Sequence, residues 1–184
     1  MLPFLRQLAG PMDYTQGAMV NAARHNFRPI HSQPMAPGTR AHQLALYMIL
    51  FSPLNMLCDS PSNYRREQEC TDFIASVPTV WDETKVLDGK MGEYIVTARR
   101  KGNDWFIGGI TNWTPRDLTI DLSPLNLKEG TEMTIFTDGA NAHRNGNDYR
   151  SQTIPVASGS LHVHLAPGGG FAAHIGGTDP ATDK

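Results

Sequence analysis

Two aspartates occupy positions where acid–base chemistry is common in enzymes. Asp13 and Asp59 each follow a predicted strand, and the carboxyl-terminal ends of barrel strands are where barrel active sites are built. Tyr14, beside Asp13, adds an aromatic ring that can stack on a ligand. Aspartate is also favoured as a capping residue in such loops. These positions therefore predict either ligand contacts or loop caps, and neither aspartate is predicted to be a general acid or base.

Histidines are the second residue type that could do chemistry. A long segment, 21–38, shows little periodicity, and its basic side chains either line a ligand site or are solvated on a loop: Arg24, His25, Arg28 and His31. His162 and His164 stand at i and i+2 on one face of a predicted strand, a spacing that suits two metal ligands. No third ligand is near them in the sequence, so the pair favours an exposed sheet face.

The chain around the two aspartates is predicted to alternate between helices and strands. Thr39 is a good helix cap, and residues 40–51 are apolar almost all round, which is typical of a helix buried between layers. Leu54–Cys58 is apolar without alternation and predicts a parallel strand buried on both faces, and Arg65–Ala75 predicts a further helix. This order is that of the last βα units of an incomplete (β/α)8 barrel.

From about Pro78 onward the apolar residues alternate with a period of two. Gly- and Asn-containing turns, Asp88-Gly89 among them, separate the predicted strands. The predicted strands are Trp81–Leu87, Glu93–Arg100, Trp105–Asn112, Asp117–Leu122, Glu132–Thr137, Ser151–Val156, Ser160–Leu165 and Phe171–Ile175. Short strands at this spacing are typical of an antiparallel β-sandwich.

The bulk composition excludes several classes of protein. The 184 residues carry a formal net charge of −2, which offers no positive field for nucleic acid or an anionic membrane. No stretch approaches the roughly 20 apolar residues of a membrane span, and the amino-terminal residues do not have the pattern of a signal peptide. Cys58 and Cys70 are the two cysteines, and their spacing does not decide between free thiols and a disulfide.

Several long sequence strings resemble glycoside hydrolase family 97. In the first part these are Leu8-Ala-Gly-Pro-Met-Asp-Tyr-Thr15, Thr39-Arg-Ala-His-Gln-Leu-Ala-Leu-Tyr47 and Ser52-Pro-Leu-Asn-Met-Leu-Cys-Asp-Ser-Pro61. In the second part they are Trp81-Asp-Glu-Thr-Lys-Val-Leu-Asp-Gly-Lys90, Gly92-Glu-Tyr-Ile-Val96, Thr111-Asn-Trp-Thr-Pro-Arg116 and Leu165-Ala-Pro-Gly-Gly-Gly-Phe171. The resemblance extends from Leu2 to about Ile175, and one departure is Gln16, where the family usually has proline.

This resemblance implies the C-terminal part of a bacterial, calcium-dependent, exo-acting α-glycosidase. The family's members are α-glucosidases or α-galactosidases with an N-terminal β-sandwich, a (β/α)8 barrel and a C-terminal β-sandwich. Their catalytic and calcium-binding carboxylates match no position of this chain, so no catalytic or metal residue is predicted. Asp13, Tyr14 and Asp59 are predicted at most to contact substrate. The resemblance also implies a periplasmic or secreted enzyme.

The sequence therefore predicts residues 1–77 as the end of the catalytic barrel, residues 78–176 as the sandwich and residues 177–184 as a disordered tail. The predicted partners are the remaining barrel and N-terminal domain, an α-linked oligosaccharide in the intact enzyme, and a second copy bound through the β-sandwich. The fragment by itself is expected to be inactive and to need no cofactor. The alternative is a non-catalytic β-sandwich module that binds carbohydrate or mediates oligomerisation.

Overall fold

The computed structural model describes residues 2–128, 130–156 and 159–176. The predicted disordered tail, 177–184, lies outside these residues. Up to residue 76 the elements are α1 (Leu2–Leu5), a 3₁₀ turn (Arg6–Ala9), β1 (Tyr14–Gln16), β2 (Asn21–Ala22), β3 (Ala36–Pro37), α2 (Arg40–Ile49), β4 (Asn55–Leu57), α3 (Pro61–Arg66) and α4 (Gln68–Ser76). None of the helices in the described ranges is both long enough and apolar enough to cross a bilayer.

The first part of the chain is built around helix α2. Its cap is the one predicted: the side chain of Thr39 accepts a hydrogen bond from the backbone N–H of His42 at 3.1 Å, which satisfies one of the free donors of the first turn. Strands β1 and β4, on either side of α2 in the sequence, pair in parallel. The segment 21–38, predicted as a loop without strands, contains the short parallel pair of β2 and β3.

All eight strands predicted after Pro78 are present, with bounds within two residues of the prediction for all but β5. They are β5 (Glu83–Lys90), β6 (Tyr94–Lys101), β7 (Asp104–Thr111), β8 (Arg116–Asp121), β9 (Glu132–Asp138), β10 (Tyr149–Pro155), β11 (Ser160–Leu165) and β12 (Gly170–Ile175), with a 3₁₀ turn at Ser123–Leu125. Asp88-Gly89, predicted as a turn, lies inside β5, where the pairing with β6 shifts register between Val86 and Asp88. Asp-Gly also suits a bulge, and the chain reverses a few residues later.

The strands form a sandwich-like arrangement of two unequal sheets. Six of them make an antiparallel sheet in the order β10-β9-β12-β7-β6-β5, and β8 pairs with β11 as a separate ribbon. The core between sheet and ribbon contains apolar residues from both, among them Ile107, Ile120, Ile135, Leu165 and Phe171. The opposite face of the large sheet is not solvated, because it packs against α2 and α4.

Helix α2 lies unusually close to the sheet through small residues. A second core joins Leu44, Ala45 and Met48 of the helix to Phe106 and Ala172 of the sheet. A Cβ atom built at Gly108 would lie 2.7 Å from the carbonyl oxygen of Ala45, so no other residue fits there without displacing the helix. The central strands of the six-stranded sheet, β9, β12, β7 and β6, are therefore covered on both faces.

One burial prediction is wrong for this structure. Leu54–Cys58 was expected to be a strand buried on both faces, but β4 is exposed: Leu57 has 54 % of its surface accessible, Met56 41 % and the preceding Leu54 65 %. The strand itself is present and parallel, as expected. Its apolar side chains have no covering layer among the described residues.

Candidate functional site

The candidate site is the edge of the parallel pair where β1 and β4 end, because ligands bind at the carboxyl ends of parallel strands. The chain leaves β1 through Gly17, Ala18 and Met19, all buried. Helix α2 holds this segment from behind: the Oε1 atom of Gln43 accepts from the N–H groups of Gly17 at 3.1 Å and Ala18 at 3.4 Å. Gly17 has a φ of +87°, a conformation that favours glycine.

Two tyrosines complete the support of this segment. The hydroxyl of Tyr47 donates to the carbonyl oxygen of Gln16 at 3.2 Å, and the hydroxyl of Tyr64 donates to that of Gly17 at 3.0 Å. Burial raises the pKa of the Tyr64 phenol to about 12, so both the hydroxyl proton and this hydrogen bond persist at neutral pH. The loop after β1 is therefore rigidly positioned by the helices that pack against it.

Asp59 lies at this same edge, after β4, as predicted. Its Oδ2 atom accepts from the N–H of Met19 at 2.7 Å. Its Oδ1 atom accepts from the N–H of Ser60 and from the side-chain amide of Asn63, both at 2.7 Å. Both carboxylate oxygens thus tie the loop after β1 to the start of α3, which is the capping role weighed from the sequence. Its contact with substrate stays a prediction.

Asp13 is placed differently from the expectation. It precedes β1 instead of following a strand, and it is exposed, so it lies at the end of the parallel pair away from Asp59. Tyr14 is partly buried and packs against a small apolar cluster at the end of α2, formed by Leu46, Ile49, Leu50 and Ile95. The structure therefore does not bring Asp13 and Asp59 together, and Tyr14 is partly used in packing.

Arg40 is a buried charge that the sequence prediction missed, because it stands at the start of a helix taken as apolar. Its side chain is 1 % exposed. The guanidinium donates to Glu67 Oε2 at 2.8 Å, to Asn21 Oδ1 at 2.7 Å and to the carbonyl oxygen of Met19 at 2.5 Å. Its backbone N–H donates to the carbonyl oxygen of Gly146 at 2.7 Å. Arg40 therefore links the loop after β1, the start of α4 and the β9–β10 connection.

Asp138 is the second group that the sequence prediction missed. Its Oδ2 atom accepts from the N–H groups of Ala166 at 2.8 Å and Gly170 at 3.0 Å, and the side chain of Thr39 lies near the carboxyl group. Burial raises the pKa of Asp138 to about 6. The hydrogen bonds to the carboxyl group lower the pKa, so burial is the larger of the two opposing effects. Asp138 thereby fixes the Gly168–Gly170 turn beneath the start of α2. The carboxylate serves the fold, since its bonds go to backbone groups.

A cavity of about 420 Å³ opens between β1, the start of α2 and the loop after β7, and its walls include Tyr14, His42 and Trp113. Trp113 carries an aromatic ring of the kind that can stack on a sugar. Its ring lies against Gly168, where a Cβ would come within 2.4 Å of the ring, and the guanidinium of Arg24 lies 5.9 Å from the ring centroid. The Trp113 ring is thus largely engaged in contacts within the chain.

The histidine pair lies on an exposed sheet face, as favoured from the sequence. The Nδ1 atom of His162 is 2.9 Å from Thr119 Oγ1, and that of His164 is 2.7 Å from Asp117 Oδ1. Within 2–128, 130–156 and 159–176, no three His, Cys, Asp or Glu side chains cluster closely enough to hold a metal ion. The resemblance places the calcium ligands of the intact enzyme outside this chain, and that stays a prediction.

Known proteins resemble this chain over nearly its whole length. The family model for the glycosyl hydrolase 97 C-terminal domain, described as an oligomerisation domain, matches residues 80–176. A retaining α-galactosidase of Bacteroides thetaiotaomicron is 61 % identical over 95 % of this chain. A probable retaining α-galactosidase of Streptomyces bingchenggensis is 30 % identical over 94 % of it. The chain spans about a quarter of the length of these relatives, 26 % and 24 %.

Solved structures match the fold over almost the whole chain. A family 97 glycoside hydrolase from Pseudoalteromonas sp. strain K8, in complex with panose, is 35 % identical and superposes with a TM-score of 0.83. That match covers 96 % of this chain and 28 % of the enzyme. A β-arabinopyranosidase is 26 % identical, with a TM-score of 0.77, over 95 % of this chain and 26 % of its own. Both the first part of the chain and the sandwich are included in these matches.

Proposed function

Because the chain belongs to glycoside hydrolase family 97, we propose that it is the C-terminal part of a retaining α-galactosidase that hydrolyses terminal α-linked galactose. The observation that carries this proposal is the 61 % identity to the Bacteroides thetaiotaomicron α-galactosidase over 95 % of the chain. The panose-bound enzyme, at 35 % identity, is more distant. The α-galactosidase specificity is therefore favoured over α-glucosidase.

Residues before the sandwich are proposed to be the last βα units of a (β/α)8 barrel. In support, β1 and β4 pair in parallel with α2 between them in the sequence, which is the connection used in such barrels. The exposed apolar side chains of Leu54, Met56 and Leu57 suit a strand that the rest of a barrel covers. The role of this chain is then to close the barrel and to hold the loop after β1 in place.

The catalytic carboxylates and calcium ligands are proposed to lie in the parts of the longer enzyme that this chain does not match. Retaining hydrolysis needs two carboxyl groups about 5–5.5 Å apart, and Asp13 and Asp59 lie at opposite ends of β1 and β4. Export to the periplasm or the medium is proposed for the intact enzyme on the family resemblance.

A chimeric enzyme tests this function. The chain replaces the matching segment of the Bacteroides thetaiotaomicron α-galactosidase, and turnover of p-nitrophenyl α-galactoside and α-glucoside is measured with calcium present. We expect the chimera to hydrolyse the galactoside, with retention of the anomeric configuration by NMR, and the isolated chain to hydrolyse neither substrate. Asp13→Asn, an exposed change, is the control and should leave the chimera active.

Two results would contradict the proposal. A folded chimera with no α-galactosidase activity would show that this chain does not complete such a barrel. Turnover by the isolated chain, unchanged by Asp13→Asn and Asp59→Asn, would show that catalysis resides in residues that we assign to structure.

A further inference from the structure

The six-stranded sheet leaves one long edge strand open. Strand β5 is the last in the order β10-β9-β12-β7-β6-β5. Seven of its eight residues pair with β6, and no other described strand pairs with it. An unpaired edge presents a row of backbone donors and acceptors that can accept another strand. The opposite edge strand, β10, ends in Pro155, which removes a donor there.

The exposed apolar residues of the matched domain gather at this edge. Among the described residues of 80–176, the large hydrophobic side chains that are exposed are Val80 at 56 %, Val86 at 66 % and Met91 at 59 %. Val86 lies within β5, and the other two flank the strand at its start and end. An apolar group at an open edge is a feature of protein–protein contact surfaces.

A bulge gives β5 an unusual charge pattern. Four charged residues, Glu83, Lys85, Asp88 and Lys90, lie opposite residues 100, 98, 96 and 94 of β6. These partners are every second residue of β6, so they share one face of the sheet. Because the register shifts between Val86 and Asp88, all four charged side chains lie on that same face, which strict alternation would not allow.

This pattern is complementary to itself when two copies of β5 run antiparallel. With a two-fold axis between Val86 and Leu87, Glu83 lies opposite the partner's Lys90 and Lys85 lies opposite the partner's Asp88. The symmetry repeats each contact, which gives four opposite-charge contacts. A shift of two residues in one direction sets Lys85 against the partner's Lys90, and a shift in the other sets Glu83 against the partner's Asp88. Like charges directly opposite are destabilising, so the charges specify one register.

We propose that β5 is the self-association surface of this chain, where it pairs with β5 of a second copy to join two six-stranded sheets into one. This inference rests on the oligomerisation role that the description of the matching family model gives for this domain, and it specifies the surface and the register. An isologous contact of this kind closes after two copies. The apolar side chains of Val80, Val86 and Met91 would lie beside the paired strands and be covered there.

Within each copy, Glu83 pairs with Arg100 and Lys90 pairs with Glu93. The new contacts between Glu83 and the second copy's Lys90 would join these ion pairs into charge networks that cross the interface.

Charge reversal and charge exchange test the pairing. The dimer dissociation constant is measured by sedimentation velocity for the wild-type chain, Lys85→Glu, Asp88→Lys and the double variant with both changes. Each single change turns two attractive contacts into repulsive ones and should raise the constant about tenfold or more. The double variant restores the complementarity and should return near the wild-type value. Circular dichroism melts confirm that each variant is folded.

Two control variants separate this surface from the others. Arg150→Glu makes the same charge reversal on the opposite edge strand, β10, and should leave the constant unchanged. Leu57→Asp perturbs the exposed apolar surface of β4 and should also leave it unchanged. A dimer weakened by Leu57→Asp or Arg150→Glu, but not by the β5 changes, would refute β5 as the surface and leave oligomerisation intact.

Two further results would refute the register or the dimer itself. A double variant as weak as the single variants would refute the register. A wild-type chain that stays monomeric at about millimolar concentration would refute the inference together with the oligomerisation role. Neither result bears on the chimera's α-galactosidase activity, so the two proposals fail independently.

Discussion

Replacing Gly108 by alanine measures how strongly the fold depends on the close approach of helix α2 to the sheet. The new Cβ would lie 2.7 Å from the carbonyl oxygen of Ala45 and 2.9 Å from the Cβ of Met48. These atoms belong to the helix backbone and to a first side-chain atom, so no rotamer change moves them away. Non-bonded carbons are best separated by about 3.5–4.0 Å, and the helix must therefore move outward by about 0.6–1 Å.

The expected loss of stability follows from two opposing effects. Overpacking in a well-packed core costs about 1–3 kcal/mol. Alanine in place of glycine raises the free energy of unfolding by about 0.4–1 kcal/mol, because it makes the unfolded chain less flexible. The net destabilisation of Gly108→Ala is thus about 1–2 kcal/mol, which for a chain of this size lowers Tm by about 2–8 °C.

Urea unfolding followed by tryptophan fluorescence and circular dichroism measures this difference. Gly176→Ala is the matched control, since a Cβ there would meet no atom within 4 Å, and it should be neutral or slightly stabilising. If Gly108→Ala proved as stable as Gly176→Ala, α2 would not be held at the distance that the structure shows, and the argument for a sheet covered tightly on both faces would fail.

Three further substitutions probe the buried polar groups, each by the free energy of unfolding in denaturant. Arg40→Met removes a buried cation from its acceptors and should lower the free energy of unfolding by about 3–5 kcal/mol. Glu67→Gln changes a side chain that is 30 % exposed and should lower it clearly less. Equal losses for the two variants would contradict the linking role of Arg40. Arg99→Met removes the donor to the carbonyl oxygen of Met48 at the end of α2 and should cost about 1–3 kcal/mol; an unchanged stability would show that water replaces this cap. Burial raises the pKa of Asp138 to about 6, above its unfolded value, so its protonated form stabilises the fold below about pH 4 and this stabilisation is lost as the pH rises through 6. The stability of the wild type relative to Asp138→Asn should therefore fall by about 2 kcal/mol between pH 4 and 7, and a difference independent of pH would show that the carboxyl group does not titrate there.

The strands of the sandwich could be predicted from the sequence because each is bounded by turn residues with a specific backbone role. The exception, Asp88-Gly89, shows the limit of that signal, since aspartate and glycine suit a bulge within a strand as well as a hairpin. Which strands are buried on both faces could not be predicted. Gly108 and Ala172 present almost no side chain to α2, so the sequence does not mark that face as covered.

The candidate site was harder to predict than the fold. Asp59 was placed correctly after a strand, since Asp-Ser-Pro is a strong signal for the end of one element and the start of another. Asp13 was misplaced because β1 is three residues long, too short for its start to be located by periodicity. Arg40 and Asp138 escaped notice because their partners are backbone and side-chain groups distant in the sequence.

The position of α2 on the sheet has a consequence for how this region can be inherited. The helix precedes residue 80, where the match to the family's C-terminal domain begins, yet its side chains fill one face of that domain's sheet. A sandwich transferred alone to another protein would expose Phe106, Phe136 and Ala172 to water. We therefore expect gene fusions and rearrangements that succeed to carry α2 along with the sandwich, so that the unit of evolution begins upstream of the unit that sequence comparison recognises.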